Sequence, residues 1–179
     1  MPGRAADKPT PIDISRIILT DTINARCWFF ADSLRNVNAD QLTTLPFQSR
    51  IPDNIFRTAK DLQVEKDWYL NFCLQNTADT AISVYFYPGI YFTRIDLFLY
   101  NDSIKKAVPI PEVLPDFPDS IGYRTITLPA HSQKIYYARL RFVKDDANNM
   151  DVRIIRDYYL NVLQTLAWRN IFSGYVQAG

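Results

Sequence analysis

The residues that could do chemistry in this chain are few. The sole histidine, His131, sits in the turn-like stretch "LPAHSQK". A catalytic histidine needs a nucleophile and an orienting acid beside it, and the sequence supplies neither nearby. One histidine without an acidic ligand cluster does not make a zinc site. Paired acids occur at Asp116 with Asp119 and at Asp145 with Asp146. A glycosidase would hold two such carboxylates across a cleft, but these lie beside proline or asparagine, where turn chemistry accounts for them. "DDANNMD" is rich in oxygen ligands yet lacks the spacing and glycine of a calcium loop. "NDS", Asn101 to Ser103, matches a three-residue glycosylation sequon. No phosphate-binding glycine loop, dinucleotide fingerprint or nucleophile elbow occurs. The expectation is a protein with no catalytic residues, no cofactor and no metal.

What remains is a set of aromatic and polar residues on strand faces. "DWYLNFCLQN" alternates strictly, with Trp68, Leu70, Phe72 and Leu74 on one side and Tyr69, Asn71, Cys73 and Gln75 on the other. After the polar turn "NTADT", Ile82, Val84 and Phe86 oppose Ser83, Tyr85 and Tyr87, so residues 67–89 read as a hairpin. In "RIDLFLYN", Ile95, Leu97 and Leu99 oppose Arg94, Asp96, Phe98 and Tyr100. Further on, Tyr136, Ala138, Leu140 and Phe142 oppose Ile135, Tyr137, Arg139 and Arg141. If the aliphatic faces form the core, the opposite faces gather Tyr69, Asn71, Tyr85, Tyr87, Tyr137, Arg139 and Arg141, together with Asp96. Aromatic rings can stack on a ligand's apolar face while amide and guanidinium groups bond its edges, which suits an uncharged polyol or a carboxylate. The same residues also suit cross-strand pairs on a solvated sheet, or packing beneath the N-terminal segment.

The elements that must position them follow from pattern and punctuation. Residues 1–11 are polar and proline-bearing, a flexible lead-in without the apolar run of a signal peptide. "IDISRIILTD" reads as a strand and "ARCWFFADS" as an apolar run ending in a turn. "NADQLTTLP" reads as a short helix, with Asn38 and Gln41 at capping-box spacing and Pro46 as its stop. Residues 47–66 read mostly as loop. Pro109, Pro111, Pro115 and Pro118 bar their segment from a central strand. "DVRIIRDYYL" reads as a last strand, and residues 161–179 take near-helical apolar spacing.

Short strands with regular turn signals point to an all-β fold, an antiparallel sandwich or barrel. The chain has 179 residues, 47% of them hydrophobic, enough for a real core. A net charge of +1 provides no field for nucleic acid or an anionic membrane. No run is long enough to span a bilayer. Cys27 and Cys73 lie far apart without a C-x-x-C pattern; they read as two buried thiols, with one disulfide in an oxidising compartment as the alternative.

Taken in order, the motifs resemble a known family, the type-two extracellular sensor domain of bacterial seven-transmembrane DISM receptors (receptors with diverse intracellular signalling modules). The similar features are a tryptophan-led strand ending in an N-x-x-D turn (Trp68 to Asp79), the strand "TRIDLFL", the "LP" turn and strand of "LPAHSQKIYYARLRF", and upstream "WFFADSL" with "LPFQ". The likeness runs from about Ile17 to Leu160. It departs at Thr93, where an acid is common, and in a longer proline-rich loop. The resemblance implies a jelly-roll-like β-sandwich over residues 12–160, similar to carbohydrate-binding modules, with a short N-terminal helix and a C-terminal helical segment, 161–179, leading toward a membrane region. It implies a periplasmic position, the membrane-embedded remainder of the same receptor as partner, and an output module such as a histidine kinase or diguanylate cyclase. It carries over no catalytic residues. The expected function is periplasmic sensing of a small molecule, carbohydrate or a small carboxylate. The alternatives are a carbohydrate-binding module of a secreted enzyme and a protein-interaction or homodimerisation domain.

Overall fold

The computed structural model describes residues 9–51, 63–89, 92–116, 120–143 and 150–156. Their strands form two facing sheets. The larger holds β1 (Pro11–Asp13), β3 (Trp28–Asp32), β4 (Gln48–Ser49), β5 (Asp67–Asn76), β7 (Phe92–Asn101), β8 (Lys106–Pro109) and β10 (Ser132–Phe142). The smaller holds β2 (Thr20–Thr22), β6 (Ile82–Tyr87), β9 (Arg124–Leu128) and β11 (Arg153–Arg156). Their orders are β4-β3-β5-β10-β7-β8 and β2-β11-β6-β9. All pairings are antiparallel except β1 with β5, which is parallel. From β5 onward the chain crosses repeatedly between sheets, as a jelly roll does.

The alternation seen in the sequence explains the core. Leu70, Phe72, Leu97, Ala138 and Leu140 of the larger sheet meet Val84, Phe86, Ile126 and Ile154 of the smaller, all buried. Phe72 stacks on Phe86 across the interior at 5.1 Å between ring centroids, 2° from parallel. Arg124, only 8% exposed, ties β9 of the smaller sheet to β7 of the larger. It donates to the carbonyls of Ile95, Ile121 and Tyr123 at 3.0, 2.9 and 2.7 Å and pairs with Glu112 at 2.7 Å. Nothing in its pattern marked Arg124 as an anchor.

Three expectations need correction. Residues 67–89 do not form a hairpin: β5 and β6 belong to opposite sheets, and the turn between them is an arch. The Asn76 side chain holds it, its amide nitrogen donating to the carbonyls of Thr80, Leu128 and Pro129 at 2.8, 3.2 and 3.0 Å, while its oxygen accepts from the Ala78 N–H at 3.0 Å. "IDISRIILTD" is not one strand. A single 3-10 turn, Ile14–Arg16, capped by the Asp13 carboxylate, separates β1 from β2, which lie in different sheets. The short N-terminal helix is present, but as a 3-10 helix, Ala39–Thr44. Asn38 and Gln41 form its capping box, and the Thr44 hydroxyl bonds back to the Gln41 carbonyl at 2.9 Å. Consecutive β-branched threonines at its end disfavour further helix. The described part of the proline-rich segment enters the larger sheet only at its edge, through β8, as its prolines require. The C-terminal helical segment and Asp119, Asp145 and Asp146 lie outside the described residues.

Candidate functional site

The seven binding-face candidates do not share a face. Tyr69, Asn71, Tyr137, Arg139 and Arg141 lie on the outer side of the larger sheet, whereas Tyr85 and Tyr87 lie on the outer side of the smaller one. Alternation separates inside from outside on each strand, but the arch at Asn76 sends β6 to the opposite outside. Tyr85 is 9% exposed, and Tyr87 stacks on Tyr123 at 4.7 Å. Burial, then Tyr123 and Asp151, raise the Tyr87 hydroxyl above its usual range, with Arg153 opposing.

On the larger sheet, register fixes successive outer rows. Asp32, Asp67, Arg141 and Arg94 form one; Phe30, Tyr69, Arg139 and Asp96 the next; Trp28, Asn71, Tyr137 and Phe98 a third. The charges are mutually satisfied. Arg139 Nε and Nη2 both reach Asp96 Oδ2, at 2.8 and 2.7 Å. Arg94 Nε reaches the same oxygen at 2.5 Å. Arg141 Nε donates to Asp67 Oδ1 at 2.6 Å, which raises the guanidinium's affinity for its proton. Arg139 also sits over the Phe98 ring at 5.7 Å. These arginines are therefore committed to cross-strand pairs, of the kind that hold sheets together.

A strap, residues 33–47, crosses this outer face. Asp32 starts it by accepting from the N–H groups of Leu34, Asn36 and Val37 at 2.9, 2.9 and 3.2 Å. Leu42 buries itself in a second small core with Tyr69, Phe98, Ala107 and Tyr137. Asp40 pairs with Lys106 of β8 at 2.9 Å. The Tyr69 hydroxyl donates to the Val37 carbonyl at 3.5 Å. Burial, followed by the acids Asp67 and Asp32 against Arg139, raises its pKa. Tyr69 is thus a foundation of the strap.

At the strap's far end the cover is incomplete. A cavity of about 290 Å³ remains between Thr43, Leu45, Pro46 and Phe47 above and Trp28, Asn71, Tyr100 and Tyr137 around and below, with Pro9 and Ile135 completing the wall. Phe47 and Tyr137 lie 5.9 Å apart at 40°. Burial, and then Tyr100, push the Tyr137 hydroxyl up to about 12. Asn71 is 8% exposed, and its Oδ1 is buried with no hydrogen-bond partner. A buried amide oxygen without a partner is uncommon, because it forfeits its hydration for nothing. This cavity is the candidate site. Of the residues expected from sequence it unites Asn71 and Tyr137 only. Trp28, Phe47 and Tyr100 were missed, although Tyr100 has the same alternation parity as Phe98.

Other regions fit a site less well. An open groove of about 670 Å³ runs along Pro11 to Arg26. Its charged groups pair with each other, Arg16 with Asp13 at 3.2 Å and Arg26 with Asp21. Thr20 Oγ1 is buried there without a partner, but on a half-exposed residue of an edge strand. His131 lies in an exposed turn with its Nε2 2.9 Å from Asp79, and no nucleophile accompanies it. Among the described residues no group of His, Cys, Asp and Glu could hold a metal ion. Cys27 and Cys73 are both buried and are not joined in a disulfide. Among the described residues no helix is long and apolar enough to cross a membrane. No protein-family model matches this sequence, and no curated protein matches it either.

Proposed function

We propose that this chain is a non-enzymatic, periplasmic ligand-sensing domain of a membrane signalling receptor, with the cavity beneath residues 43–47 as its binding site. The observation that carries the reading is the Asn71 amide oxygen, buried and unpartnered on a residue that lines an aromatic hollow. A fold optimised for stability alone would place an apolar side chain there. The aromatic walls with a few polar groups, the Asn71 amide and the Thr43, Tyr100 and Tyr137 hydroxyls, match the usual make-up of small-molecule sites. The jelly-roll sandwich is an architecture on which binding modules are commonly built. A ligand here touches both the sheet and the strap, so it favours the strap arrangement that it binds best, and a receptor can transmit that bias. The membrane-embedded remainder of the receptor would read it through residues 161–179.

A thermal-shift screen of sugars, carboxylates and amino acids tests the reading. A ligand at a hundredfold its dissociation constant adds ~2.7 kcal/mol, which is roughly 5–10 °C for a domain of this size. The shift must disappear in Asn71→Leu while the variant stays folded. A screen without any response, or a response indifferent to Asn71, would overturn the assignment.

A further inference from the structure

We infer that the cavity takes a neutral, single-ring molecule carrying at least one N–H or O–H donor, and that it discriminates against ionised ligands; this rests on the reading of the cavity as a binding site. Among the described residues the lining contains no Asp, Glu, Lys or Arg. Charges in the two neighbouring outer rows and on the strap are already paired: Arg139 and Arg94 on Asp96, Arg141 on Asp67, Lys106 on Asp40. Among the described residues no counter-charge is therefore left to receive a ligand's ion. An ionised group brought here would lose its hydration without compensation, which is the costliest form of burial.

The polarity of the buried, unpartnered Asn71 oxygen sharpens this. Asn71 Oδ1 is an acceptor, so its complement is a donor. A carboxylate would set oxygen against oxygen at that point. An ammonium could donate, but it would meet no acid in the wall, and cation–π attraction to the rings offsets only part of its dehydration. A neutral hydroxyl or amide N–H pairs with the oxygen at no such cost. The rings of Trp28, Phe47 and Tyr137 provide the flat surfaces on which a ligand ring lies. A volume of about 290 Å³ stands at the small end of the ~300–1,000 Å³ spanned by ligand clefts, which limits the occupant to about one ring. Two sources share this chemistry, a pyranose and a planar cyclic amide such as a nucleobase.

The test uses matched probes that differ in charge but hardly in shape. Glucose, glucuronate and glucosamine form one series; uracil and orotate form the other. Calorimetric titration of the whole chain with each is repeated on Asn71→Leu and on Asn71→Asp. The expected result is that a neutral member binds at least about ten-fold tighter than its charged analogues, a difference of ~1.4 kcal/mol. Asn71→Leu should lose that binding, whereas Asn71→Asp, which keeps an acceptor oxygen, should retain it and improve the ammonium probe; the series that responds identifies the source. If a carboxylate or ammonium probe binds the native chain as well as its neutral partner and still depends on Asn71, the charge argument fails while the binding site stands. If no probe binds, or binding ignores Asn71→Leu, the neutral class and the site fall together. Circular dichroism of both variants separates lost binding from lost fold.

Discussion

Asn71→Leu should make the protein more stable. Asn71 sits in the middle of β5, paired with Trp28 of β3 on one side and Tyr137 of β10 on the other. Being 8% exposed, its amide has surrendered nearly all its hydration, and Oδ1 has received no bond in return. A buried unsatisfied polar atom costs ~1–3 kcal/mol. Leucine has the same branched four-atom skeleton but bulkier methyl ends, so the exchange opens no void, and the adjoining hollow takes up the added volume. Leucine also fits a central strand better than asparagine. The partly open cavity returns some of the gain, because leucine's methyls remain against a hollow. A net increase of about 1–2 kcal/mol follows, roughly 2–8 °C in Tm for a chain of 179 residues. Urea unfolding is the assay, with a raised midpoint at unchanged slope as the signature. Asn71→Ala separates the effects, since it removes the same polar atom but enlarges the hollow, and should gain less than leucine does. If Asn71→Leu destabilises by more than ~0.5 kcal/mol, outside the usual range of neutral substitutions, then the amide is a structural partner and the case for a site at Asn71 collapses.

Other consequences are equally direct. Leu42→Ala removes the strap's deepest anchor, 1% exposed. It should cost ~2–5 kcal/mol by urea unfolding, with hydrogen exchange rising first in residues 33–47. Arg124→Gln strips donors from the carbonyls of Ile95, Ile121 and Tyr123 and should cost at least ~2 kcal/mol; Arg124→Lys should not rescue it, because an ammonium cannot reproduce the fork. Burial pushes Tyr136 and Tyr137 up to about 12 and Cys27 further above its usual range. The folded state therefore keeps protons that the unfolded chain releases near pH ~8.5 from the thiol and ~10 from the phenols. The phenol contribution is fully present below about pH 10 and is lost as pH rises through about 12; the thiol's begins to fall from about pH 8.5. Urea midpoints should fall across that window, and Tyr136→Phe should flatten the fall. A thiol reagent should label Cys27 and Cys73 only after denaturant is added, since both are buried; rapid labelling of the native chain would contradict the packing.

The amount of fold legible in the sequence follows from what alternation encodes. Period two specifies which side chains of a strand share a side, and it placed Leu70, Phe72, Val84, Phe86, Leu97 and Leu140 in the core, where they lie. It says nothing of which strand is the neighbour. Trp68 to Tyr87 reads as a hairpin because the turn is short and both flanks alternate. The arch uses the same alternation, and the difference rests on the Asn76 amide reaching Leu128 and Pro129, 52 and 53 residues away. No local pattern encodes a bond of that reach.

The site was half legible for a related reason. Asn71 and Tyr137 were identifiable as outward residues, but whether an outward face is wet, covered or occupied depends on what crosses it. Here the strap decides. Where Leu42 seals it, Tyr69 and Tyr137 become a second core; where Thr43 to Phe47 lift away, Asn71 is left buried and unpaired. Arg139 and Arg141 drop out because Asp96 and Asp67 already hold them, a pairing set by register across β5, β10 and β7. Had those arginines been free, the cavity's surroundings would have favoured an anion. Because they are not, and Asn71 Oδ1 is a buried acceptor left without a partner on the described outer face, the proposed recognition narrows to a molecule that can donate there without carrying charge.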